Sequence, residues 1–245
     1  MNGNTTKFLF INICIVSLFV LKSEAGKPVK MPVWFWETPQ SSQTALCVGY
    51  SIPYDNIQSS YNEAFEDAAW RLFVDRGSHI TGGRAMLETP EGMMAAGGKF
   101  TFLVDSSAFE GFSKSLVRID SAVTADLVVM LVGNQMTEVD QKWEKNPGKP
   151  DIAHWKQSSS VVAQGMGERY LYESSSWQEA ERTAREEAAL LANSVLKILE
   201  KRSLWISQSV YLTETDVYLW NVQTIARGID TVSGSKIVII RTFHN

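Results

Sequence analysis

The side chains whose types could do chemistry in this sequence are three histidines, two cysteines and a few acid-rich or glycine-rich stretches. His79, His154 and His244 lie far apart. No His-x3-His or Cys-x2-Cys pair accompanies them, so the spacing of a structural zinc site is missing. A Ser-His-Asp triad assembles in space rather than in sequence, which keeps an unrecognised hydrolase as one alternative. The G-x-S-x-G elbow of many hydrolases does not occur, however. Thr81-Gly82-Gly83-Arg84 and Ala96-Gly97-Gly98-Lys99 set glycines beside a basic residue. A phosphate-binding loop needs its glycines to open a helix, whereas Gly97-Gly98-Lys99 leads into a strand, so both read as tight turns or bulges. Glu63, Glu66 and Asp67 cluster in SSYNEAFEDA (residues 59–68). A second stretch, SSWQEAERTA (residues 175–184), repeats its pattern with Arg182 and Thr183 in place of Glu66 and Asp67. The shared part is structural, and the chain is read as non-enzymatic, with no cofactor and no metal.

Candidate contact residues are aromatic. Trp34, Phe35 and Trp36 cannot all face one core if the segment is extended, because side chains alternate. At least one of them is a candidate contact for a partner, a neighbouring subunit or another part of the chain. Tyr170 and Tyr172 alternate just before a helix start and are candidates for exposure. The binding residues proposed from sequence are therefore Trp34, Trp36, Tyr170 and Tyr172. Met86, Met93 and Met94, flexible and adaptable, either fill a loose core gap or mark a mobile binding loop. Glu181, Arg182, Arg185, Glu186 and Glu187 alternate in sign along a helix and read as a solvated face. Cys47, between Leu46 and Val48, reads as a buried small hydrophobe.

These residues need elements to hold them, and the elements come in a repeated order. SSYNEAFEDA and SSWQEAERTA stand 116 residues apart, as Ser60 and Ser176 do. Ser60-x-x-Glu63 and Ser176-x-x-Glu179 both match a capping box. Behind them alanines recur every fourth residue, Ala64 and Ala68 in one helix, Ala180, Ala184 and Ala188 in the other. That spacing gives a small-residue stripe suited to lying close on a sheet. A glycine ends a short apolar run before each helix, Gly49 in ALCVG and Gly165 in VVAQG. A hairpin pattern follows each, VRIDSAVTADLVVMLV (residues 117–132) and ARGIDTVSGSKIVIIR (residues 226–241). The expected fold is α+β, with two tandem units, each a small antiparallel sheet with one long helix packed on a face. The first helix is expected over residues 60–76 and the second from Trp177 to about Lys201. EKNPGKPD (residues 144–151) is the linker. The domains read as 1–25 signal peptide, 26–145 first repeat and 146–245 second repeat.

Residues 1–25 carry Lys7, an apolar run over residues 8–21 and small residues at Ser23 and Ala25, the pattern of a signal peptide cleaved before Gly26. The run is shorter than the roughly 20 residues that span a bilayer, so no transmembrane segment is expected after cleavage. Removing two positive charges (Lys7, Lys22) and one negative (Glu24) takes the formal charge from −4 to −5. No basic block interrupts this acidity, and nucleic-acid binding needs clustered Lys and Arg, so no nucleic-acid partner is expected.

The Trp34–Pro39 segment, the strand ending in Val48-Gly49-Tyr50, and helices with alanine at every fourth residue, including AERTAREEAALLANSVLKI (residues 180–198), resemble the twenty-kilodalton surface lipoprotein family (Lpp-twenty type) of bacterial cell envelopes. The resemblance covers most of residues 32–243 as two tandem repeats. This chain lacks a lipobox: Cys14 lies inside the apolar run and Cys47 too far downstream. The resemblance implies an exported, non-enzymatic envelope protein, periplasmic or outer-membrane associated. It would act as an interaction or assembly module on a protein partner or on itself, in a flagellar or outer-membrane setting. The other alternative is a periplasmic small-molecule or glycan binder with an aromatic cleft between the repeats.

Overall fold

Alanine spacing on two helices and a glycine in each facing strand set the architecture. The computed structural model describes residues 29–40, 44–89, 92–155, 160–202 and 207–244. Residues 1–25, read as a signal peptide, lie outside them. Both helix-and-sheet layers belong to one compact unit, Met31–Asn245.

In one layer, β2 (Leu46–Ser51), β5 (Val117–Val123) and β6 (Val128–Gly133) form an antiparallel sheet in the order β2-β6-β5. Helix α2 (Ile57–Arg76) packs on it, burying Ala64, Ala68, Ala69 and Leu72 against Cys47, Val128, Met130 and Val132. The approach is close: a Cβ on Gly49 would lie 1.9 Å from the Ala64 carbonyl oxygen and 2.5 Å from the Ala68 nitrogen. In the other layer, α4 (Glu173–Ala192) packs on β8 (Val161–Gly167), β11 (Lys236–His244) and β10 (Ser207–Ile229). There a Cβ on Gly165 would lie 2.1 Å from the Ala180 carbonyl oxygen and 2.2 Å from the Ala184 nitrogen. Both helices have 20 residues, and both bury a serine at the fourth position. Ser60 Oγ accepts from the Tyr54 N–H at 2.8 Å, and Ser176 Oγ accepts from the Tyr170 N–H at 3.0 Å.

Those serine bonds replace the expected capping boxes. The helices start earlier than the pattern implied, so Ser60 and Ser176 fall inside the first turns and fasten the preceding loops instead. Asn56 caps α2, its side chain accepting from the Gln58 N–H at 3.1 Å. Tyr172 precedes α4 without a side-chain cap. Glu63 accepts from Ser51 Oγ at 2.7 Å, and Glu179 pairs with Arg182.

The second helix also stops short of the expected Lys201. It ends at Ala192, where the Thr215 hydroxyl donates to the Ala189 carbonyl at 2.9 Å. Residues 195–202 become β9 (Val195–Arg202). Val195 and Ile198 are β-branched, and β10 offers them a ladder, so tertiary pairing overrides the helical reading. Strand β3 (Gly77–Thr89), counted with the first half in sequence, hydrogen-bonds to β10 of the second half and carries β4 (Gly92–Leu103) on its other edge. The large sheet runs β4-β3-β10-β11-β8, with β9 also on β10. The 23-residue β10 makes this possible. Its Val210–Trp220 segment pairs with β3, Ser207–Glu214 with β9, and Leu219–Ile229 with β11.

Shorter elements close the unit. The segment read as a linker is packed down: Asn146 accepts from the Ile229 N–H and donates to its carbonyl, both at 2.9 Å. Beside it β7 (Trp143–Lys145) pairs with β1 (Lys30–Pro32). Helix α3 (Phe109–Lys114) brings Phe109 and Phe112 onto Phe73 of α2.

The glycine contacts give a direct test. Gly49→Ala and Gly165→Ala should each lower stability by ~1–3 kcal/mol through overpacking, measured by chemical denaturation. A neutral result at either site would show that its strand and helix are not in backbone contact.

Candidate functional site

Of the residues proposed from sequence, the tryptophans are interior. Val33–Trp36 forms a helical turn, α1, so the alternation argument for an extended segment does not apply. Trp34, Phe35 and Trp36 are all buried. Trp34 Nε1 donates to Asp120 Oδ2 at 2.8 Å, and Trp36 Nε1 donates to the Glu144 carbonyl at 3.1 Å. Phe35 meets Trp177 edge-on at 5.1 Å between ring centroids, and Trp177 stacks on Tyr50 at 6.2 Å. Rings thus fill the space around α1. Tyr170 and Tyr172 lie elsewhere, about half exposed on the loop before α4.

Beside this aromatic cluster is a buried charge network that includes Glu181 and Arg185, which read, from sequence, as part of a solvated face. Glu181 of α4 is 2% exposed. Its Oε1 accepts from Tyr50 Oη at 3.0 Å and from Arg227 Nη2 at 2.9 Å. Its Oε2 accepts from Thr224 Oγ1 at 2.8 Å and from Arg185 Nη1 at 3.2 Å. Arg227, on β10, is fully buried and also donates to Tyr50 Oη at 2.7 Å, Thr38 Oγ1 at 2.8 Å and the Phe35 carbonyl at 3.1 Å. Arg185 forks onto Asp75 of α2, with Nε and Nη2 each 2.8 Å from a carboxylate oxygen. Arg71 of α2 reaches Asp67 at 2.6 Å, stands 3.8 Å from Glu181, and lies 4.4 Å over the Tyr50 ring. Asp67 also accepts from the Tyr50 N–H at 2.8 Å and from Gln178 at 3.2 Å.

These contacts join the two long helices rung by rung: Asp67 to Gln178, Arg71 to Glu181, Asp75 to Arg185. Residues four apart on α2 meet successive turns of α4, so the helices run side by side in the same direction. Three acids (Asp67, Asp75, Glu181) balance three arginines (Arg71, Arg185, Arg227), which is the condition for burying charge at tolerable cost. Burial alone would raise the Glu181 carboxyl, but Arg227, Arg185 and Arg71 overcome it and hold the group at about 2. Burial raises the Asp75 carboxyl above its ordinary range against the pull of Arg185. Burial, reinforced by the Asp75 charge, pushes the Cys47 thiol up to about 12, and Cys47 is an inert core residue. With both Glu181 oxygens occupied by hydrogen-bond donors, the network clamps the two helices and β10 together. One signal for it lay in the sequence: Arg227 interrupts the apolar run Ile225–Ile229.

Two surface features lie outside the network, and a third borders it. His79 Nε2 meets Asp216 Oδ1 at 2.5 Å, with both side chains exposed. A cleft of about 420 Å³ opens between α2 and α4 onto the network, lined by Trp70, Phe102, Arg71, Glu181, Arg182 and Arg185. The remaining feature is a four-stranded arm, β4-β3-β10-β9, made from the ends of the two long hairpins. Gly82, Gly83, Gly97 and Gly98 lie within its strands rather than in turns, and β4 carries an extra residue at Ala96, opposite the Ala85/Met86 step. Gly97 there has φ +123°, which favours glycine. A trough of about 850 Å³ runs over these glycines between Lys99, Lys197 and Glu214. Met93 and Met94, read as gap fillers or a loop, are strand residues at 50% and 57% exposure.

Among the described residues, no group of three or more His, Cys, Asp and Glu side chains is placed to hold a metal ion, and no helix is long and apolar enough to cross a membrane. No protein-family model, curated protein or solved structure matches the chain.

Removing the central carboxylate should be costly. Glu181→Gln leaves three buried arginines undercompensated and is expected to lose ~3–5 kcal/mol, read from denaturant midpoints at neutral pH. Its folded pKa of about 2 lies below the ordinary 4.5. The Glu181 contribution is therefore complete above pH 4.5 and lost as pH falls towards 2. Glu181→Gln should lack that part of the acid destabilisation; a variant as stable and as acid-sensitive as the parent would contradict the clamp.

Proposed function

We propose that the chain is an exported, non-enzymatic protein of a bacterial cell envelope, acting as an interaction or assembly module at the periplasmic face of the outer membrane, in the manner of the twenty-kilodalton surface lipoproteins it resembles. The observation that carries the reading is the four-stranded arm. It stands off the core with apolar side chains open to solvent on both faces: Leu196, Ile198 and Met93 on one, Val195 and Met94 on the other. Single exposed apolar residues are ordinary, but here five fall on the two faces of one small element, which supports a contact surface there. The leader pattern of residues 1–25 supports export.

The same reading takes residues 26–145 and 146–245 as tandem copies of one unit. Supporting it are the equal helices 116 residues apart, the glycine contacts at Gly49 and Gly165, and the serine bonds at Ser60 and Ser176. In this view the copies have exchanged autonomy for a shared sheet through β3 and β10.

A second reading, a periplasmic small-molecule or glycan binder, draws on the cleft between α2 and α4. Trp70 and Phe102 offer flat apolar walls there, above the guanidinium groups of Arg71 and Arg182. Saturable quenching of tryptophan emission by an envelope glycan, abolished in Trp70→Ala, would favour it.

The assembly reading is tested by expressing the full chain in a bacterium and fractionating the cells. The expected product begins at Gly26 and is recovered with the envelope. An uncleaved chain that stays in the cytosol would overturn the proposal.

A further inference from the structure

The lining of the cleft between α2 and α4 divides into two sets. Trp70, Val74, Phe102 and Val104 are apolar, while Asp67, Arg71 and Gln178 carry polar groups beside the charges of Glu181, Arg182 and Arg185. Trp70 stands edge-on to Phe109 at 5.1 Å and tilted on Phe73 at 6.1 Å between ring centroids. Its ring is thus held in place, yet it is 41% exposed. Most of the charges are already paired. Arg185 is held by Asp75 and Glu181, and Arg182 by Glu179 and Glu186. Each Glu181 oxygen accepts two hydrogen bonds. Arg71 differs. It is 8% exposed, and its Nη2 donates to Asp67 at 2.6 Å. Its Nη1 is buried with no hydrogen-bond acceptor among the described residues, and Glu181 Oε1 stands off at 3.8 Å.

Buried N–H groups are met by an acceptor. The chain supplies none to Nη1, so the acceptor enters by the cleft, as solvent or as a ligand oxygen. We infer that the ligand is an uncharged pyranoside, with its C–H face on Trp70 and one oxygen accepting from Arg71 Nη1. The inference rests on the second reading above and names the ligand's chemistry. Charge decides against an ion. A cation offers Arg71 no acceptor. An anion would offer one, but Asp67, Asp75 and Glu181 already balance Arg71, Arg185 and Arg227, and Glu179 and Glu186 outweigh Arg182. A further carboxylate would add to a surplus of negative charge at a poorly solvated site. A neutral oxygen satisfies the donor without changing the charge. Shape decides for a sugar. A pyranose has an apolar C–H face and a rim of hydroxyls, matching an apolar lining with a few polar groups beside it. The cleft, at about 420 Å³, lies in the size range of small-ligand sites.

The test is a titration of the full chain, in a detergent without a sugar headgroup, followed by tryptophan emission. The probes are the methyl pyranosides of glucose, galactose, mannose and N-acetylglucosamine, and methyl glucuronide as the acidic counterpart. At least one neutral pyranoside should give a saturable change with a dissociation constant of roughly 1 mM, and Trp70→Ala should abolish it. The glucuronide should bind roughly tenfold more weakly. Arg71→Lys keeps a cation for Asp67 but withdraws Nη1, and should weaken the best pyranoside by a similar factor. The monodeoxy analogues of that pyranoside remove the acceptor from the ligand instead. One of them should reproduce the loss on the unaltered chain, which keeps the test independent of how Arg71→Lys folds. A glucuronide that binds as tightly as the neutral sugars would overturn the inference. So would deoxy analogues that all bind alike, or binding that persists in Trp70→Ala. A response to acidic envelope glycans alone, lost in Trp70→Ala, would overturn the neutral ligand and leave the second reading standing. No response to any sugar, neutral or acidic, would overturn both.

Discussion

A single carboxylate, Glu181, sets the constraint on which the rest of the unit depends. It projects from α4 with almost no exposure of its own, and it is shared by groups from β2, α4 and β10, with an arginine of α2 alongside. An ion so placed is expensive unless every partner arrives in position. Tyr50 must come from the first sheet, Arg227 from the long strand of the second, and Arg71 and Asp75 from the neighbouring helix. An arrangement that lacks one of them leaves a buried charge uncompensated. A network of this kind need not exceed a well-packed apolar core in net stability, but it penalises incorrect docking of one layer on the other.

The aromatic cluster depends on the same geometry. Arg227 lies beside the rings of Phe35 and Tyr50 and holds the Phe35 carbonyl, so the α1 turn is tied to β10 by a charged hydrogen bond as well as by ring contacts. Trp177, one helical turn before Glu181, fills the remaining space against Phe35, Trp36 and Tyr50. The halves of the chain are thus joined at three levels: a sheet shared through β3 and β10, a ladder between two helices, and a ring cluster sealed around the charges.

Much of this was legible from residue spacing. The alanine stripes specified helices lying close on a sheet, and the patterns over residues 117–132 and 226–241 specified hairpins; each is a local rule with a strong physical cause. The failures share a different cause. Ser60 and Ser176 resemble caps, yet the loops before them use their hydroxyls, and only the true helix starts reveal that. Val195–Arg202 continues a helical pattern until a free strand ladder competes for it. Glu181, Arg185 and Glu186 look like a solvated stripe because the sequence does not say that a second helix covers them. Trp34 and Trp36 read as contact candidates only while their segment is taken as extended, and a single helical turn reverses the conclusion. For the strand, the stripe and the tryptophans the deciding partner is distant in sequence, and local periodicity carries no information about it.

If Glu181 and Arg227 join the two layers as one cooperative device, their energies cannot be separable. A double-mutant cycle with Glu181→Gln and Arg227→Met, followed by denaturant unfolding at neutral pH, measures this directly. The account predicts a coupling of ~2 kcal/mol or more, within the range for residues in one buried network. Additive losses would mean that the two charges stabilise their own layers independently, and the clamp would not exist.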